Sequence, residues 1–267
     1  MRLGVAYAPY LLNVSWRTLL DMANKVGVTT IEVRSDDPKL SRRVLVDRFK
    51  DLLSSYDFDL GVHAPYIDIN PASLNPLISR ITRRVLLHCV NLAQTLEANY
   101  IVIHPGEFPI DYPRMLRRRA INNLINTIYS LSRTAKDSNI EVLIENTPKD
   151  DGLYIGSTIE EIKDIATRLE CKLALDLGHA NTMGNPLDYI NELAPLAAII
   201  HIHDNNGERD EHLPLGRGTL KVPACLYTLS RKKYNGPLVV QTRGIQGLIN
   251  SVRVLRNIMT KTRISTT

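Results

Sequence analysis

Six of the seven histidines in this sequence, with three carboxylates, stand at the ends of short apolar runs or in the loops just after them. His63 follows Gly61-Val62, His104 follows Val102-Ile103, and Glu145 follows Leu143-Ile144. Asp176 and His179 come behind Ala174-Leu175, His201 and His203 flank Ile202, and Asp210 and His212 lie in the loop beyond. A carboxylate set directly behind an apolar run is costly to bury alone, so it needs a cation or a charge-assisted partner. Neutral imidazole combined with carboxylate suits zinc, manganese or cobalt. Each position taken singly has a plainer reading: a hydrogen-bonded structural histidine, a turn-starting His-Pro or Glu-Asn pair, or, for Asp176, a cap on the next helical turn. Agreement over successive runs is what favours metal. His88, inside a helical pattern, stays outside the set.

The elements that must position these groups alternate along the chain. Strands are predicted at residues 3–8, 30–33, 59–62, 100–103, 142–144, 172–175, 198–202 and 238–240, several of them continuous apolar runs as in parallel strands covered on both faces. Between them, Trp16, Leu19, Leu20, Ala23 and Val26 keep helical spacing, with Ser15 as N-cap and Gly27 as terminator. Ile78, Ile81, Val85, Cys89, Leu92 and Leu96 form a second stripe. Ser157 and Glu160 have capping-box spacing ahead of Ile162 and Ile165. A last helix is expected over about 247–259, with a frayed tail at about 260–267. Eight strands alternating with eight helical segments imply parallel βαβ units. A doubly wound open sheet would carry a glycine-rich turn after its first strand, and residues 8–11 form no such turn. No linker-like composition interrupts the series. The expectation is one α/β domain over residues 1–267, a (β/α)8 TIM barrel with its chemistry at the carboxyl ends of the strands.

The 267 residues agree with the roughly 250 typical of that barrel. A hydrophobic content of 44% and a charged content of 23% exclude a disordered or fibrous chain. The net charge of +5 and pI of about 9.1 permit a polyanionic or phosphorylated partner, the plainer reading being an even scatter of Lys and Arg. Cys89, Cys171 and Cys225 are odd in number and form no C-x-x-C pair, which argues against a disulfide framework or thiolate zinc site and for a reducing compartment. With no signal-like segment and no membrane-length apolar run, a cytoplasmic protein without a membrane partner is expected.

The ordered blocks His63-Ala64-Pro65-Tyr66, His104-Pro105-Gly106, Glu145-Asn146, Asp176-x-x-His179-Ala180, His201-x-x-Asp204 and Asp210-x-His212, followed by Leu215-Gly216-x-Gly218, resemble the xylose-isomerase-like TIM barrel superfamily. Within it they are most similar to AP endonuclease family 2, the endonuclease IV-like proteins. The resemblance spans about residues 3 to 245 and implies a trinuclear zinc site. His63 and His104 would hold one ion, with Glu145 bridging to a second. Asp176 and His201 would complete the second, and His179, Asp210 and His212 would hold the third. His201 is preferred because it keeps the family spacing to Asp204, while His203, of the same strand parity, is a substitute or a supporting group. Tyr66 matches a DNA-distorting tyrosine of the family. The family ends its eighth strand with a bridging glutamate, whereas here Val239-Val240 lead into uncharged Gln241, and Arg217 stands where the family has an acid.

Two enzymatic readings and one non-enzymatic reading follow from that resemblance. The first is a zinc-dependent phosphodiesterase acting on abasic or damaged DNA, with Glu145 positioning the attacking water and Tyr66, Arg217 and nearby Arg34, Lys149 and Arg209 meeting the substrate. The second is a sugar or sugar-phosphate isomerase or epimerase using one divalent ion, with Mn2+ or Co2+ as alternatives to Zn2+. Gln241 cannot serve as the second base that such a mechanism uses. The third is a barrel that binds sugar or nucleic acid without catalysis. One to three metal ions span these cases, and the oligomeric state stays open.

Overall fold

The computed structural model describes residues 1–7, 14–150 and 152–262. Residues 8–11 and 263–267, on which two of the expectations fall, lie outside the described residues. Eight parallel strands close on themselves in chain order: β1 (Arg2–Tyr7), β2 (Thr30–Arg34), β3 (Asp59–His63), β4 (Tyr100–Ile103), β5 (Glu141–Glu145), β6 (Lys172–Asp176), β7 (Ala197–Ile202) and β8 (Pro237–Val240). β8 pairs back onto β1, so the sheet has no free edge. Nine α-helices lie between and after the strands among the described residues: α1 (Trp16–Lys25), α2 (Arg43–Leu53), α3 (Pro76–Leu96), α4 (Arg117–Lys136), α5 (Ile159–Leu169), α6 (Leu177–Met183), α7 (Pro186–Leu193), α8 (Val222–Arg231) and α9 (Ile245–Lys261). The expected (β/α)8 TIM barrel is the observed fold.

Strand alternation divides the molecule into two compartments. Ile31, Val33, Val62, Ile101, Ile103, Val142, Ile144, Leu173, Leu175, Ile200 and Ile202 face outward and join the large core between sheet and helices. Tyr100, Val102, Leu143, Ala174 and Ile199 form a separate apolar cluster inside the barrel. Above that floor the same inward rows continue as Glu32, His63, Glu145, Asp176 and His201, each buried. One parity thus runs from hydrocarbon to chemistry within a few residues. Gly61 makes room for the floor, because a Cβ there would stand 2.1 Å from the Tyr100 ring.

Local signals mostly act as their chemistry dictates. Ser15 caps α1 by accepting from Thr18 N, and Gly27 follows at φ +63°. Two expectations need correction. The cap of α5 is Thr158, not Ser157: its hydroxyl accepts from Glu161 N, so the capping pair is one residue further on. In α3, Ile78 and Ile81 are exposed, while Cys89, Leu92 and Leu96 of the predicted stripe are buried with Thr82, Leu86, Val90 and Ala93. His88 is exposed on α3, away from the barrel mouth.

Candidate metal centre at the barrel mouth

His63, His179 and His212 are each aimed by a hydrogen bond from the ring to a main-chain carbonyl. His63 Nδ1 donates to the Ala64 carbonyl at 2.8 Å, turning Nε2 toward Glu145 Oε2 at 3.1 Å. His179 Nδ1 donates to Asn146 O at 2.7 Å, and its Nε2 faces Asp210 Oδ2 at 3.4 Å. His212 Nδ1 donates to Gln241 O at 2.8 Å, and its Nε2 faces the same Asp210 oxygen at 3.0 Å. A main-chain acceptor on one ring nitrogen fixes the tautomer and leaves the other nitrogen's lone pair free, as metal-ligating imidazoles require. His104 adds Nε2 at 2.8 Å from Glu145 Oε2.

Chain geometry brings the remaining groups to this point. Asp176 ends β6 and caps α6, its Oδ1 accepting from His179 N at 2.7 Å, so the helix start holds aspartate and histidine side by side. The plain capping reading of Asp176 and its place in the polar mouth therefore hold together. Asp204 fastens the loop beyond β7. Its backbone pairs with Leu213, and its carboxylate accepts from Gly216 N at 2.8 Å and Leu220 N at 3.0 Å. That bridge folds Asp210 and His212 back over the mouth, with His212 in the left-handed region at φ +50°, a strained backbone for a non-glycine residue. Gly218 lets the loop close, because a Cβ there would lie 2.2 Å from Asn205 O.

Three groups of donor atoms lie close enough to hold a cation: His63, His104 and Glu145; Glu145, Asp176 and His179; and His179, His203, Asp210 and His212. Neighbouring groups share Glu145 or His179. Unmet polar atoms mark the same place. Asp176 Oδ2, His203 Nε2 and Asp210 Oδ1 are buried without a hydrogen-bond partner, although His203 Nε2 stands 3.3 Å from both Asp176 Oδ1 and Asp210 Oδ1. Proximity without hydrogen-bond alignment, around atoms cut off from water, fits a cation between them better than a direct pair. Gly178 provides the cradle, because a Cβ there would meet the His203 ring at 2.0 Å.

The deeper part of the mouth is built differently. His201 Nδ1 lies 2.6 Å from Glu145 Oε1, and its Nε2 lies 2.9 Å from Glu32 Oε2. Both ring nitrogens are engaged by carboxylates. Tyr100 donates to Glu32 at 3.2 Å, and Gln241 Nε2 reaches Glu32 Oε1 at 3.2 Å. The expected pairing of Asp176 with His201 is not what the geometry brings together: Asp176 faces His203 and His179, while His201 is clamped lower down. The sequence reasoning missed Glu32. A carboxylate inside the run Thr30-Ile31-Glu32-Val33, with inward parity, was the available signal.

Charge follows these contacts. Burial alone would lower the His179 pKa, but Asp176, Asp210 and Glu145 outweigh it and raise it from 6.5 to about 10. Burial likewise opposes ionisation of Glu145, yet His201 and His104 hold its carboxyl well below the usual range. Burial pulls His201 down, while Glu32 and Glu145 hold it well above 6.5 as an imidazolium. His104 is lowered, burial prevailing over Glu145, which favours the neutral, ligating form.

The mouth encloses a cavity of about 240 Å³, with Glu32, His63, His104, Glu145, His179, Asp210, His212 and Gln241 in its wall. Tyr66 lines its rim, stacked on His104 at 4.7 Å beneath the Arg34 guanidinium at 4.6 Å. Arg217 is not part of it. It is exposed on the turn that its N–H closes to Pro214 O, and Lys149 and Arg209 are also exposed and outside the lining. Arg34 and Arg243 are the arginines that reach the cavity.

Comparison with known proteins agrees with this fold. The profile of the family described as xylose isomerase-like TIM barrel matches residues 20–258. The chain belongs to this family. An uncharacterised protein of Methanocaldococcus jannaschii is 31% identical over 212 residues, covering 77% of this chain and 72% of that one. A "Probable endonuclease 4" of Mycoplasmopsis synoviae is 25% identical over 257 residues, 87% of each chain. The crystal structure of a D-tagatose 3-epimerase-like protein superposes with a TM-score of 0.88 at 25% identity, covering 99% of this chain and 100% of that one. Family members thus include enzymes of both classes that the sequence suggested. The three cysteines are free, and burial raises all three thiols, to about 11 for Cys89 and about 12 for Cys171 and Cys225. No helix among the described residues is long and apolar enough to cross a membrane.

Proposed function

We propose that the mouth is a multi-metal hydrolytic centre that cleaves phosphodiester bonds in DNA at abasic or damaged sites. The observation that carries this reading is the sharing of Glu145 and His179 between neighbouring donor groups, with buried unpartnered atoms on Asp176, His203 and Asp210. Linked donor groups suit two or three ions a few ångströms apart, whereas a single-ion isomerase has no use for His179, Asp210 and His212 as a set. Bound divalent ions, zinc first and manganese or cobalt as alternatives, would lower the pKa of water to about 7 and neutralise phosphate charge.

The residues divide the work as follows. His63 and His104 face one oxygen of Glu145, and His179 and His212 converge on Asp210. His203 joins Asp176 as the β7 ligand in place of His201, because its Nε2 is unpartnered and that of His201 is not. Glu32 supplies the negative charge that Gln241 does not. It lies against the Gln241 amide and brings the mouth to four carboxylates with Glu145, Asp176 and Asp210. Tyr66 and Arg34 at the rim would meet the sugar-phosphate chain.

The likeness to a D-tagatose 3-epimerase-like structure favours a second reading, a one-metal sugar or sugar-phosphate epimerase. Gln241 weighs against it: an amide pointed at Glu32 and His201 is no base. Metal analysis of natively purified protein, paired with incision of an abasic-site duplex, tests the choice. About two to three ions per chain and metal-dependent incision are expected. One ion, no incision and turnover of a ketose would overturn the hydrolase.

A further inference from the structure

Basic charge is not spread evenly over this protein. The 21-residue α3 and the 20-residue α4, packed against each other, hold eight of the 33 Lys and Arg residues and none of the 28 Asp and Glu residues. The chain carries a net +5, so everything outside these two helices is net acidic. Six of the eight, Arg80, Arg83, Arg84, Arg117, Arg118 and Arg119, fall in the first half of their helices. Helices of a (β/α)8 barrel start beside the carboxyl ends of the strands, so these arginines lie on the same side as the mouth.

Between the two helix starts opens a cleft of about 450 Å³ lined by Arg80, Arg83 and Arg119, with Ser79, Asn123 and Asn126 among its neutral donors. Arg117 is occupied, held by Glu161 and by the carbonyls of Gly152 and Tyr154. Among the described residues, no carboxylate lies within ion-pair reach of Arg80, Arg83 or Arg119. One loop joins the cleft to the mouth. Ser73, in the cleft wall, accepts from Asn123 Nδ2 at 2.9 Å, and Asn70 donates to the carbonyl of Glu107 at 2.8 Å. Glu107 in turn lines the mouth cavity.

We propose that this cleft is a docking surface for the phosphodiester backbone of a nucleic acid whose reacting segment enters the mouth. The proposal rests on the hydrolase reading above. Guanidinium forks match phosphate oxygens in a bidentate way, and neutral amides and hydroxyls donate to phosphate without requiring a base. Repeated phosphates are the partner that rewards several unpaired arginines set beside one another, through release of condensed counterions.

The test compares binding of a short fluorescein-labelled duplex by the unaltered protein, by Arg80→Gln/Arg83→Gln/Arg119→Gln, and by Arg133→Gln/Lys136→Gln at the far end of α4. The cleft variant should bind about ten-fold more weakly, and its slope of log affinity against log salt should fall by about one for each arginine removed. The far-end variant should bind as the unaltered protein does. All these positions are exposed, and the single Arg119→Gln variant serves if the triple variant does not fold. Equal loss per charge in both variants, or an unchanged slope in the cleft variant, would overturn the proposal. So would a concentration-dependent dimer, or binding to phosphatidylserine vesicles, that is lost in the cleft variant while duplex binding persists. The two readings fail separately. Cleft-dependent duplex binding without metal-dependent incision removes the hydrolase and leaves the surface, and incision with cleft-independent binding does the reverse.

Discussion

The lower and upper halves of the barrel mouth use the same residue types to opposite ends. Below, His201 sits between Glu32 and Glu145 with both ring nitrogens engaged, and Tyr100 and Gln241 meet Glu32. Above, His203 Nε2, Asp176 Oδ2 and Asp210 Oδ1 are buried without hydrogen bonds, and His203 Nε2 stands 3.3 Å from Asp176 Oδ1 and from Asp210 Oδ1. A satisfied network makes a rigid electrostatic floor, and an unsatisfied one has the donor atoms that could hold a cation. The same side chain therefore says little until its hydrogen-bond partners are counted.

Glu145 belongs to both halves, and Glu145→Gln should have the largest effect. It leaves the buried His201 charge with one carboxylate and removes a donor from two metal groups. A loss of about 3–5 kcal/mol in urea unfolding is expected for breaking a buried pair, together with loss of metal and of incision. A variant that stays as stable and as metal-rich as the parent would end the assignment of Glu145 to both halves. Next come the paired substitutions His201→Gln and His203→Gln. The first should lower stability by about 3 kcal/mol, and the second should weaken metal binding by at least about ten-fold with little change in metal-free stability. Exchanged outcomes in calorimetric metal titration and urea unfolding would restore His201 as the ligand.

The pH dependence tests the upper half. The pKa of His179 is raised to about 10 in the folded chain from an ordinary 6.5. Its protonation therefore stabilises the metal-free fold fully below about 6.5, and that contribution is lost as pH rises toward about 10. Metal must displace this proton, so metal affinity should fall on acidification and binding at neutral pH should release protons. Urea unfolding of metal-free protein across that window should show declining stability that added zinc abolishes; a flat profile would remove the charged His179.

Gln241 gives a smaller effect. With Glu32 and Glu145 already against His201, Gln241→Glu places like charge beside like, and it should cost the metal-free protein about 1–2 kcal/mol. The swap Glu32→Gln/Gln241→Glu should recover most of it. Higher metal content in the single variant with no loss of stability would show that Glu32 does not stand in for the missing charge. The smallest effect is expected from Tyr66→Leu at the rim, about 0.5–1 kcal/mol of cation–π stabilisation lost from its contact with Arg34 and read by urea unfolding.

The fold was legible because period-2 runs and their spacing are local properties. Every strand was found within about two residues of its observed bounds, in line with the usual scatter of element ends. The gathering of these groups was also largely legible, since inward parity at the carboxyl ends of strands places His63, His104, Glu145 and Asp176 in one mouth, and the Asp176 cap sets His179 beside them. What the sequence could not separate was depth. His201 and His203 share parity, and Asp176 pairs in register with His201, so only the side-chain contact of 3.3 Å shows that the Asp176 carboxylate faces His203. Glu32 was overlooked because a single carboxylate within an apolar strand carries no spacing motif. Ser157 and Thr158 each have a glutamate three residues on, so the capping signal was degenerate. Arg217 came from alignment to a family pattern, and its turn points away from the cavity.

The apolar floor beneath the mouth has a kinetic consequence. Tyr100, filling the space that Gly61 leaves open, and its neighbours Val102, Leu143, Ala174 and Ile199 stop up the barrel from below. Whatever enters must leave by the same door. If the proposed hydrolase reading holds, product would leave by the way substrate enters and would compete with it for the mouth.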